Sequence, residues 1–187
     1  MILAFDAHYD PARSCLAAAG IADWAAAEIN HVRRWEFGPA ADYQPGSFYL
    51  RELPLLAAAL VDYGLQVNSD RAAVRSRGGP PPGAPVVPSP TAIIIDGYVT
   101  LNAEGRPGLG KYLYGALGGS VPVVGVAKNY FRDTHAERVL RGGSSKPLFV
   151  TALGMDAAEA AGCIHKLAGP YRIPELLKTA DQLARRG

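Results

Sequence analysis

The chain has 187 residues, 49% of them hydrophobic and 19% charged, with a formal net charge of +2 at pH 7. That is an ordinary soluble profile with length enough for a real core, and the charge is too small to establish a nucleic-acid partner by itself. No apolar run approaches the roughly 20 residues that cross a bilayer, the N-terminus has no basic leader segment, and two distant cysteines, Cys15 and Cys163, neither frame disulfides nor make a zinc site alone. A monomeric cytoplasmic protein with reduced thiols and no membrane partner is the expectation.

In chain order, Met1 to Tyr9 reads as a strand, with Ile2, Ala4 and Asp6 on one face at period two. Ala12 to Phe37 is ambiguous: its alanines favour a helix, whereas Gly20 and a turn near Ala22-Asp23 would suit two strands. Ser47 can cap a helix over Phe48 to Tyr63, whose Leu50, Leu53, Leu56, Ala57 and Leu60 share a face, with Glu52 in its first turns. Ala73 to Pro90 is rich in Gly and Pro, so a long loop is expected there inside one domain spanning 1–187.

Ala92 to Val99 is the clearest strand. Its Ile93-Ile94-Ile95 run suits burial on both faces, and it ends in Asp96-Gly97. Leu109 to Leu117 reads as a short helix, and Val121 to Ala127 as a second buried strand ending at Lys128. Arg138 to Arg141 and Pro147 to Ala152 suggest a hairpin around Gly142-Gly143, and Asp156 to Leu167 and Pro174 to Arg185 suggest closing helices. Strands first, then strands alternating with helices, imply an α/β domain with a mixed sheet.

Asp6 and Asp96 each end a hydrophobic strand. Neighbouring strand ends would bring two carboxylates together, where they repel unless a cation neutralises them. Oxygen donors suit Mg²⁺ or Mn²⁺, which can activate water for phosphodiester hydrolysis. Capping or ion pairing would explain the same aspartates without a metal. Glu52 early in a helix also has a sufficient structural reason in the helix dipole, and Lys128 could hold a phosphate or simply reach solvent. The basic clusters Arg33-Arg34, Arg71 to Arg77, Arg138 to Lys146 and Arg185-Arg186 are solvated faces unless they converge on one groove.

These residues stand in segments that resemble the endonuclease V family. The matching segments are Asp6-Ala7-His8-Tyr9, Tyr43-Gln44-Pro45-Gly46, Phe48 to Pro54 (FYLRELP), Ile93 to Gly97 (IIIDG), Pro122 to Lys128 (PVVGVAK), Pro147 to Thr151 (PLFVT), and Arg172-Ile173-Pro174-Glu175 with Ala180-Asp181, in family order. The resemblance implies a ribonuclease H-like mixed sheet flanked by helices, two antiparallel strands within Ala12 to Phe37, and a Mg²⁺-dependent endonuclease cutting 3′ to inosine in DNA or RNA. It implies Asp6 and Asp96 as metal ligands with Glu52 in support, and Lys128 at the scissile region. It further implies Tyr43 as a wedge and Gly97, with Pro45, Gly46 and Phe48, lining a pocket for the extruded base.

Departures leave two alternatives: a catalytically weak or inactive nucleic-acid-binding homologue, or a ribonuclease H-like nuclease with another substrate. Gly154-Met155 stands where the family usually carries Gly-His, with Asp156, Glu159 and Asp181 as acids that could substitute; His165 suits a surface or packing role. Asn102 to Arg106 and Tyr112 to Gly115 stand where the family carries histidines, and Thr91 replaces an acid.

Overall fold

The structure, a computed structural model, describes residues 1–39, 49–68 and 88–186. Tyr43, Pro45, Gly46, Ser47 and Phe48, and the Pro/Gly-rich stretch 73–90 apart from its last three residues, lie outside the described residues.

The elements in order are β1 (Ile2–Tyr9), β2 (Ser14–Ile21), β3 (His31–Phe37), α1 (Tyr49–Val61), β4 (Ala92–Asp96), α2 (Leu109–Ala116), β5 (Val123–Ala127), β6 (Glu137–Val139), β7 (Leu148–Leu153), α3 (Ala157–Lys166) and α4 (Glu175–Arg185). They build one seven-stranded sheet of order β3-β2-β1-β4-β5-β7-β6. The central β1, β4 and β5 run parallel, and the outer pairings are antiparallel. The mixed α/β sheet, the closing helices and the hairpin of β6 with β7 follow the sequence expectation.

The two antiparallel strands that the family resemblance implies within Ala12 to Phe37 are present as β2 and β3, against the helix preference of the alanines alone. Alanine's helical advantage is only tenths of a kcal/mol per residue, while every residue of β2 is buried. Leu16 and Ala18 join the core on one face and Ala19 and Ile21 that on the other. Small side chains let both layers approach the strand, and tertiary burial outweighs local propensity.

Each sheet face carries its own core. Leu3, Phe5, Trp35, Ile93 and Ile95 pack with Leu53, Leu56 and Leu60 of α1 and with Leu113 of α2. Ile2, Ala4, Ile94 and Val124 pack with Ile164 of α3 and with Leu176 and Ala180 of α4. The alternation read for β1 is therefore real, and it assigns Asp6 to the face covered by α4.

Candidate active site

The site grows out of sheet register. Ile2 to Phe5 stand opposite Ala92 to Ile95 in parallel pairing, so one step further along the strands brings Asp6 beside Asp96. On the next strand Asp96 stands opposite Val126, and Lys128 lies two residues on, over the same face. Its ammonium donates to Asp96 Oδ2 at 2.6 Å. From α4, Leu177, Lys178 and Asp181 fall on one helical face at three- and four-residue spacing. All three line a cavity of about 270 Å³ shared with Asp6, Asp96 and Lys128, whose remaining walls include Val126, Leu148, Tyr171 and Ile173.

Glu52 enters from the opposite layer. It is buried in α1 and shares a narrow crevice with Asp6, Ala7, Ile95 and Asp96 at the end of the sheet. Burial, joined by the charges of Asp96 and Asp181 and opposed by Lys128, pushes the Asp6 carboxyl up to about 7. Burial likewise lifts Glu52 to about 8, reinforced by Asp6 and Asp96. Burial also raises the Tyr9 phenol, with the charge of Glu52 and a side-chain hydrogen bond to it adding to the rise. The Arg51 guanidinium lies over the Tyr9 ring at 4.2 Å. Burial lowers the Lys128 amine, but the hydrogen bond to Asp96 and the charges of Asp96, Asp6 and Asp181 outweigh it, and its pKa is raised.

Crowded carboxylates held up by burial and mutual repulsion are a donor set that a hard divalent cation would relieve. The hard oxygen donors fit such an ion in kind. Their spacing is looser: among the described residues no three His, Cys, Asp or Glu side chains are grouped closely enough to hold a metal ion.

Of the residues expected from the sequence, the fold gathers Asp6, Glu52, Asp96 and Lys128 at one end of the sheet. Gly97 follows at once, with φ +127° and open space where a Cβ would stand, a conformation that excludes other residues. Tyr43, Pro45, Gly46 and Phe48 lie outside the described residues. Of the acids offered in place of a histidine at Met155, Asp181 lines the cavity, and Arg185 Nε donates to it at 2.9 Å. Asp156 instead caps α3, accepting from the Glu159 amide. Glu159 and His165 are exposed. Tyr171 and Arg172 carry no site signal in the sequence; Arg172 opens the segment that resembles the family's closing stretch, but nothing in its pattern says that it returns to the acid cluster.

No family model matches the chain. Endonuclease V of Streptomyces coelicolor is 30% identical to it, over 96% of this chain and 76% of that protein. Among solved structures, endonuclease V from Streptomyces avermitilis is 27% identical with a TM-score of 0.69, covering 99% of this chain and 79% of that one. Ciona intestinalis endonuclease V, in complex with a 24mer DNA containing an inosine followed by a ribo-adenosine, has a TM-score of 0.72 at 15% identity, over 98% of this chain and 84% of that one.

Proposed function

The chain belongs to the endonuclease V family, with the ribonuclease H-like fold of its structural neighbours, and from that membership we propose that it is a divalent-metal-dependent endonuclease hydrolysing a phosphodiester bond 3′ to inosine. The observation that carries the reading is the juxtaposition of Asp6 with Asp96 on adjacent parallel strands, with Asp181 and Lys128 facing the same cavity. Relatives by name are endonucleases V, and the inosine-containing DNA held by the Ciona protein suggests the substrate class.

In this reading Asp6 and Asp96 would hold Mg²⁺ or Mn²⁺, with Glu52 in support from the α1 side and Asp181 facing the same cavity. The ion, when bound, supplies charge stabilisation and a more acidic water for attack at phosphorus. Lys128, already oriented by Asp96, places an ammonium where a phosphate oxygen can accept from it. Apolar walls from Val126, Leu148, Ile173 and Leu177 limit water around the acids and strengthen every charge interaction there. Gly97 leaves room for a base edge to approach backbone. Tyr43 serves as the wedge, offsetting part of the unstacking cost.

The test is a nicking assay on matched oligonucleotides carrying inosine or adenosine, as DNA and as RNA, with Mg²⁺, Mn²⁺ or chelator. Metal-dependent nicking of the inosine strand is expected, reduced at least about 100-fold in Asp6→Ala and Asp96→Ala proteins. Equal nicking of inosine and plain strands would transfer the chain to another substrate. Inosine-strand binding without cleavage in either metal would make it a binding homologue, and undiminished nicking by both variants would refute the site assignment.

A further inference from the structure

We infer that Arg172 is a positioning residue for Lys128, and that Arg141 holds Arg172 in place. The two guanidiniums form a relay from the segment between α3 and α4 into the acid cluster. The inference rests on the role proposed above for Lys128.

Lys128 stands just beyond the last residue of β5, and Pro147 just before the first of β7. These strands pair antiparallel up to Ala127 opposite Phe149, so the carbonyls of Lys128 and Pro147 sit where the ladder runs out and need partners. Arg172 Nη2 donates to both, to Pro147 O at 2.8 Å and to Lys128 O by a short hydrogen bond. One guanidinium thus ties together the strand ends that set where Lys128 begins. Beyond Lys128, the Tyr98 hydroxyl donates to Asn129 O at 2.7 Å and accepts from the Phe131 amide at 3.0 Å. The Lys128 backbone is pinned on both sides, and its ammonium reaches Asp96.

Arg172 is itself held from behind. Arg141, 8% exposed, donates to four carbonyls of the α3–α4 segment: Leu167 at 2.5 Å, Tyr171 at 2.7 Å, Gly169 at 3.0 Å and Arg172 at 3.3 Å. Four carbonyl dipoles solvate the cation, and among the described residues it has no carboxylate partner. Next to it, a Cβ on Gly142 would stand 2.6 Å from the Arg172 nitrogen, at a φ of +59°. The hairpin turn therefore lies directly against the Arg172 backbone. Both contacts converge on a segment that carries no acid of the site; its backbone is tied to α4, and Arg172 is the side chain by which it reaches the end of β5.

Positioning and mere structural support differ in a double-mutant cycle. If Arg172 acts through Lys128, Arg172→Ala lowers kcat on an inosine strand by about tenfold with KM nearly unchanged, and Arg172→Gln, which keeps one amide donor, falls between. In a Lys128→Ala background Arg172→Ala then costs little more. A second readout needs no catalysis: trace acylation of the whole protein in chelator, followed by mass spectrometry. Lys128 should label several-fold faster in Arg172→Ala than in wild type, because its ammonium is released from Asp96, while Lys111 and Lys166 label unchanged. Losses that multiply in the cycle, or unchanged Lys128 labelling, overturn the inference. Faster labelling in proteins that nick nothing leaves the relay standing and removes the proposed activity instead.

Discussion

Asp6 shows how much one position can carry. It is one residue past the four of β1 paired to β4, on the face that α4 covers, with Asp96 beside it. The sequence marks it as an acid ending an apolar strand; only burial and its neighbour move its pKa to about 7 from an ordinary 3.8. Glu52 moves the same way, from 4.5 to about 8. Raised carboxyl pKa values favour the protonated fold, so their contribution is complete below about pH 4 and is lost as pH climbs through 7 to 8. Cation-free protein should therefore lose stability over that window. Asp6→Asn, which keeps the shape but cannot ionise, should melt about 3–6 °C above wild type at pH 8, reflecting ~1–2 kcal/mol, and near wild type at pH 4. Calorimetry in chelator at both pH values checks this; an Asn variant less stable at pH 8 would show that the Asp6 charge is already compensated.

Elements are placed by side chains that are absent as much as by those present. Gly125, in the middle of β5, lets the segment after β4 cross close above it: an added Cβ would stand 2.6 Å from Gly97 O and 2.9 Å from Thr151 Oγ1 and Val99 N. The Thr151 hydroxyl accepts from that same Val99 amide at 2.8 Å. Two of the three neighbours are backbone and cannot swing aside. Gly125→Ala should therefore cost about 1–3 kcal/mol in denaturant unfolding, and should also weaken nicking, because Gly97 adjoins Asp96. An Ala variant of wild-type stability would mean that the crossing segment yields freely. The α4 helix illustrates the complementary case. Leu176, Ala180 and Ala184 are its buried face, which forces the adjoining Leu177, Lys178 and Asp181 toward the cavity. The amphipathic pattern was legible; the destination of Asp181 was not, because a helical wheel does not say which strand lies beneath it.

Across the whole molecule, two apolar layers close on one sheet, and the carboxylates of Asp6 and Asp96 gather with the Lys128 ammonium where the parallel strands end together. A cation that binds only the folded cluster adds stability by mass action: at 100 times its Kd, about 2.7 kcal/mol. Mg²⁺ or Mn²⁺ at that level should raise the melting temperature at pH 8 by roughly 5–10 °C, and Asp6→Asn or Asp96→Asn should abolish the shift. Equal shifts in wild type and variants would place the ion elsewhere. No helix among the described residues is long and apolar enough to cross a membrane.

Period-two alternation, the Ile93-Ile94-Ile95 run and the amphipathic helices were properties of the chain itself, because they depend on neighbours close in sequence. Asp6 and Asp96 were visible for the same reason, each an acid at the end of an apolar strand, and their resemblance to a family ordered them into a site. The strand character of β2 came from the family resemblance and not from its own residues, since its alanines prefer a helix until both faces of the sheet are covered. Nor was it visible that Asp181, and not Asp156 or Glu159, lines the cavity with Asp6 and Asp96, or that contacts run from Arg141 through Arg172 to Lys128. These rest on contacts between segments far apart in the chain, and such contacts exist only after register and helix packing have fixed which face meets which.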